Sequence, residues 1–125
     1  RMNDLVLYHC ISGYPVENDQ LYLYEIKRLM NIYVNEVYGI GFSGHHKGIA
    51  PDIAALTLGA TFFERHFTLD RTWKGTDHSA SLEPDGLRRL KRDLISCKKA
   101  LLYKPDEILD IEVPQRKKLK KFFRK

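Results

Sequence analysis

Tyr38-Gly39-Ile40-Gly41-Phe42-Ser43-Gly44-His45 is the stretch on which the fold turns. Its first five residues are a short apolar run stopped by Ser43-Gly44, which reads as a buried strand. Two similar runs lie on either side. Leu5–Cys10 is rich in large apolar residues and is followed by turn-prone Ser12-Gly13-Tyr14-Pro15, and Thr61–Thr68 is rich in aromatics and threonine. Between and after them the period changes to that of a helix. Tyr22, Ile26, Leu29, Met30 and Tyr33 fall at spacings of 4, 3, 1 and 3, one apolar stripe within residues 19–33. Pro51 can open a second helix in its first turn and Gly59 can close it. A third begins at Pro84, with Leu87, Leu90, Leu94, Cys97 and Leu101 recurring at 3, 4, 3 and 4.

The order is β-α-β-α-β-α. Near-continuous apolar strands imply a parallel sheet covered by helices, either an open doubly wound sheet or part of a (β/α) barrel. Polar residues gather just after each run: Ser12 and Tyr14, then Ser43 and His45, then His66 with Asp70 and Asp77 beyond. Both architectures place ligands at the carboxyl ends of their strands, so this gathering marks a site without choosing the fold.

The charge balance points away from a nucleic-acid protein. The 125 residues hold 21 Lys+Arg against 16 Asp+Glu, a formal net of +5. Residues 115–125 carry seven of those basic residues and no acid, so the other 114 positions net −2. A basic face spread over the fold is thereby disfavoured. No apolar run approaches the roughly 18 residues of a membrane span, and the start lacks the layout of a signal peptide. Cys10 and Cys97 stand far apart without CxxC spacing, as expected of reduced thiols in a cytoplasmic protein.

Among five histidines, His45 and His66 stand out, each at or just past the end of a strand. Period-two alternation puts Phe62, Glu64 and His66 on one face and Phe63, Arg65 and Phe67 on the other. A carboxylate and an imidazole at an inward-facing strand end must be satisfied, by a divalent metal held on His45 and His66 or by polar pairing within the fold. The glycine-rich loop 41–48 suits either anion binding or a plain strand-to-helix turn. His46 and Lys47 are expected to face solvent, and His9 to be a core histidine bonded to backbone. The polar stretch Thr72–Ser81 could hold a polyhydroxylated ligand, or its Asp and Ser could cap the following helix. No GxSxG elbow, Walker loop or GxGxxG is present.

His9-Cys10-Ile11-Ser12-Gly13-Tyr14-Pro15, Gly41-Phe42-Ser43-Gly44-His45, Leu58-Gly59-Ala60, Phe63-Glu64-Arg65-His66-Phe67-Thr68-Leu69-Asp70 and the run Trp73–Pro84 resemble the sialic acid synthase family, the N-acetylneuraminate synthases. The resemblance runs in order from about residue 4 to residue 102. It implies a partial (β/α)8 TIM barrel: residues 1–103 as its last three βα units, strands six to eight, and residues 104–125 as an extension with a basic tail. It implies condensation of phosphoenolpyruvate with N-acetylmannosamine or a related N-acyl sugar. A divalent metal, manganese in that family, would sit on His45 and His66, with Glu64 beside it as a proton carrier or orienter of water. Ser43 matches a phosphate contact, Tyr14 and Asp77 match sugar contacts, and Ser12 takes a position that is often one.

Departures from the family pattern shape further expectations. Gly44 stands where many bacterial members have Asp, which leaves the acceptor open among N-acetylmannosamine, its 6-phosphate and relatives. The family's antifreeze-like domain and first five βα units are not among these residues, so the chain alone is expected to be inactive. It is expected to associate as a homo-oligomer or with a complementary half barrel. Sister synthases making legionaminate or pseudaminate, and a non-catalytic split fragment, are the alternatives.

Overall fold

In the computed structural model, which describes residues 2–123, three strands form one parallel sheet in the order β1-β2-β3. These are β1 (Val6–Cys10), β2 (Gly39–Gly44) and β3 (Phe62–Arg65). The helices are α1 (Tyr24–Tyr33), α2 (Ala50–Thr57), α3 (Pro84–Ala100) and α4 (Val113–Phe123), with single 3-10 turns at Met2–Asp4, Asn18–Gln20, His78–Ala80 and Asp110–Glu112. Pro51 lies in the first turn of α2 and Pro84 opens α3, positions where the missing N–H costs nothing. Gly59, at φ +119°, turns the chain out of α2 toward β3.

Register assigns the two faces of the sheet. Tyr8 pairs with Gly41 and Gly41 with Phe62; Cys10 pairs with Ser43 and Ser43 with Glu64. These residues share one face, while Leu7, His9, Ile40, Phe42 and Phe63 share the other. Only the second face is covered. Ile40 and Phe42 are buried there with Ile26 of α1 and Ala55 of α2, and Leu7, Leu29, Met30, Leu58 and Phe63 pack around them. On the first face Tyr8, Cys10 and Glu64 are exposed. A doubly wound sheet would have helices on both faces and a reversal of strand order. Sequential strands with helices on one side make a wedge of a (β/α) barrel, with its concave side open.

The concave face alternates large and small residues. A Cβ on Gly41 would lie 2.5 Å from Cε1 of the Tyr8 ring and 3.0 Å from the Phe62 carbonyl oxygen, and one on Gly39 would lie 2.7 Å from the Phe62 ring. The glycines of β2 are therefore the floor on which the neighbouring rings lie. Gly41→Ala is expected to destabilise the fold by about 1–3 kcal/mol through overpacking, measured by urea denaturation with an unchanged m value.

Two elements differ from the sequence reading. The third strand was expected over Thr61–Thr68, but its ladder ends at Arg65 opposite Gly44, because β2 has no further residues to pair with. The chain then meets α3's approach at a single parallel bridge, Phe67 to Leu82. The extension with its basic tail is helical from Val113 to Phe123; Arg124 and Lys125 lie outside the described residues. No described helix is long and apolar enough to cross a membrane.

Candidate active site

His45 is the first residue after β2, and two backbone links fix it. Its carbonyl oxygen accepts the Val16 N–H at 2.9 Å, stapling the β1–α1 loop to the β2–α2 loop. Its ring Nδ1 lies 2.7 Å from the Ile11 carbonyl oxygen. A carbonyl can only accept, so Nδ1 carries the proton and Nε2 is left available. His66, just past β3, is held in a similar way. Its carbonyl accepts the Leu82 N–H at 2.8 Å, and its Nδ1 lies 3.5 Å from Asp77 Oδ2.

The two imidazoles meet edge to face with ring centroids 5.0 Å apart. Tyr14 lies against both, 4.3 Å from the His45 ring and 5.2 Å from that of His66. Cys10 Sγ approaches His45 Nδ1 at 4.0 Å, a peripheral contact of an exposed thiol. One row back on the concave face, Ser43 Oγ donates to Glu64 Oε1 at 2.9 Å.

The structure thus brings Tyr14, His45, His66 and Asp77 into one cluster and sets Ser43 and Glu64 beside it as a bonded pair. It does not bring in Ser12, which is exposed and has no side-chain partner among the described residues. Asp70 is turned into its own loop, where Oδ1 accepts from the Thr72 hydroxyl at 2.6 Å and the Thr72 N–H at 2.8 Å. Those two bonds, the hydroxyl first, hold its carboxyl below the ordinary range.

The polar loop before α3 is built around Asp77. Ser81 Oγ donates to the Asp77 carbonyl at 2.6 Å, His78 Nδ1 meets Thr68 Oγ1 at 2.8 Å, and Trp73 stands edge-on to His78. Ser81 and Asp77 do not cap α3, whose N-cap is Glu83; its side chain makes no capping bond and instead accepts from Arg71. His9 is the core histidine expected, with Nε2 2.7 Å from the Leu21 carbonyl oxygen.

His46 is the main correction. It does not face solvent but is wholly buried behind the sheet, with Nε2 2.8 Å from Asp52 Oδ2. Arg65 joins them: Nη1 donates to Asp52 Oδ2 at 2.8 Å and to the Gly48 carbonyl at 2.7 Å, and Nη2 donates to the His46 carbonyl. Burial pulls the guanidinium's pKa down, and the Asp52 charge and hydrogen bond oppose that pull. Among the described residues His46 Nδ1, Asp52 Oδ1 and Arg65 Nε have no hydrogen-bond partner. The signal for this cluster was the strand period itself: Ile40, Phe42 and Gly44 face the helices, and His46 has the same parity. Gly44 makes the room, since a Cβ there would lie 2.6 Å from the His46 ring.

Two imidazoles with Nδ1 engaged and Nε2 directed elsewhere suit a divalent transition metal whose remaining positions are filled by water or substrate. Among the described residues no group of three or more His, Cys, Asp or Glu is arranged to hold an ion.

Comparison with known proteins identifies the family. A family model described as the NeuB family matches residues 1–105. The chain is 42% identical over 112 residues to the N-acetylneuraminate-9-phosphate synthase of Homo sapiens, covering 90% of this chain and 31% of that protein. It is 36% identical over 101 residues to the N,N'-diacetyllegionaminic acid synthase of Campylobacter jejuni, covering 81% of this chain and 29% of that one. The N-acetylneuraminic acid (sialic acid) synthetase of Leptospira borgpetersenii, solved in complex with citrate, superposes with a TM-score of 0.74 at 33% identity, covering 96% of this chain and 41% of that one. The chain spans about a third of the length of the curated relatives it matches.

Proposed function

This chain belongs to the NeuB family, and we propose that it carries the sugar-binding and metal-binding side of a synthase that condenses phosphoenolpyruvate with an N-acyl sugar. The observation that carries the reading is the pairing of His45 and His66 at adjacent strand ends, 5.0 Å apart, with Tyr14 against both rings. Strands β1–β3 are taken as strands six to eight of the barrel. Their free edges and the open concave face are where further βα units, or a second copy, would close it.

His45 and His66 would hold a divalent ion, manganese by family resemblance, which when bound supplies a Lewis acid for the sugar aldehyde. The chain's own residues do the rest. Tyr14 and Asp77 bind and orient the open-chain sugar. Ser43 turns its hydroxyl from Glu64 to the phosphate of phosphoenolpyruvate. Glu64, exposed on the concave face, holds the water that adds to carbon 2 and takes its proton. Carbon 3 of phosphoenolpyruvate bonds to the aldehyde carbon, the aldehyde oxygen gains a proton, and the bond from carbon 2 to the phosphate oxygen breaks to release phosphate.

Of the acceptors, N-acetylmannosamine 6-phosphate is favoured over the free sugar. The relatives named for the 9-phosphate product are 42% identical, against 30–36% for those named for legionaminic or pseudaminic acid. A cytoplasmic setting suits these substrates and the two free thiols, Cys10 and Cys97. Anion grip is the weak point, because no described lysine or arginine is bonded to Tyr14, Ser43, Glu64, His45, His66 or Asp77. The purified 125-residue chain is therefore expected to release no phosphate from phosphoenolpyruvate and sugar. Joined to the five preceding βα units of the 42% identical relative, it is expected to form a nine-carbon sugar acid. Turnover by the chain alone, or no product from the joined barrel, would contradict the reading.

A further inference from the structure

Beyond the ladder's last rung, Gly44 with Arg65, no sheet hydrogen bond connects the residues that carry His45 and His66. Each is next in sequence to a member of the buried cluster: His45 precedes His46, and His66 follows Arg65. In extended chain, neighbours point to opposite sides, so the imidazole pair in front and the polar cluster behind are two faces of one structure. The Arg65 guanidinium spans from β3 to three points of the β2–α2 segment, the His46 and Gly48 carbonyls and the Asp52 carboxylate. Asp52 then returns to the His46 ring.

The arrangement is a poor choice for stability alone. All three side chains are at most 2% exposed, and three of their polar atoms have no hydrogen-bond partner among the described residues. Apolar residues of the same volume commonly fill such a site as well or better. What apolar packing lacks is direction: a planar fork with two anchored nitrogens fixes the distance and angle between two strand ends.

We propose that Arg65, held by Asp52 and His46, is the positioning residue that sets the spacing of His45 and His66. The proposal rests on the metal-binding reading above, so the test has one arm that uses no metal. In the 125-residue chain, nuclear Overhauser contacts between the rings of His45, His66 and Tyr14 report the pairing directly, and manganese affinity is read by electron paramagnetic resonance. The double variant Arg65→Met/Asp52→Leu is expected to keep its urea midpoint while the His45–His66 contact is lost and manganese affinity falls ten-fold or more. Arg65→Lys, which keeps the charge but cannot reach both carbonyls and the carboxylate, is expected to lose the ring contact too. It decides the matter if the double variant does not fold. A folded variant of either kind that retains the ring contact overturns the proposal. Loss of the ring contact in chains that never bind manganese upholds the positioning role and removes the metal reading alone.

Discussion

Asp52→Ala is expected to be the most damaging single substitution in the chain, costing about 3–5 kcal/mol. The carboxylate is wholly buried, and one of its oxygens faces both the Arg65 guanidinium and the His46 ring at 2.8 Å. Removing it does not return the guanidinium to water. It leaves Arg65 in the interior with the Gly48 and His46 carbonyls and the His46 ring nitrogen at 3.1 Å, and without a charged partner. Asp52→Asn should cost less, about 1–3 kcal/mol, because the amide keeps the shape and one acceptor oxygen. Urea denaturation followed by circular dichroism gives both values. A cost below about 1 kcal/mol for Asp52→Ala would mean that water reaches the cluster and that its burial is not as described.

That cluster marks the boundary of what the sequence makes legible. The β2 stretch announces a strand because its apolar residues need only a pleated, covered surface, which is a local property. The second helix, opened at Pro51 and closed at Gly59, and the stripe beginning at Pro84 are equally local, and they lie where expected. His45, His66, Tyr14 and Asp77 were legible as a group because strand ends are where a parallel sheet collects its site. His46 was misplaced because its neighbour Lys47 and the glycines suggested an open loop. Strand parity puts His46 on the helix side, but its burial also depends on Asp52, six residues on in the first turn of α2, and on Arg65 of the next strand, a three-body pairing that periodicity alone does not display. Ser12, a sugar contact by resemblance, is exposed, and its hydroxyl has no partner among the described residues. The short third strand follows from β2 ending at Gly44, a property of the partner and not of residues 61–68.

Manganese at about a hundred times its dissociation constant is expected to raise the melting temperature of the native chain by roughly 10 °C. Binding to the folded state alone then contributes about 2.7 kcal/mol. A chain of this length has an unfolding entropy of about 2.1 cal/mol/K per residue, which converts that energy to the stated shift. In His45→Ala/His66→Ala the shift should vanish. Each single variant should lose most of it, because the proposed donor set is two rings and one imidazole is a weak anchor for a hydrated ion. The quantity compared is the shift and not the baseline. His45 is buried and bonded to the Ile11 carbonyl, so its loss lowers the starting temperature by itself. Magnesium, which holds its waters and favours oxygen donors, should shift the native chain far less. A double variant that responds to manganese as the native chain does would move the metal elsewhere. A native chain with no response at millimolar manganese would leave the imidazole pair as a polar strand end, completed by Ile11, Asp77 and Tyr14 without an ion.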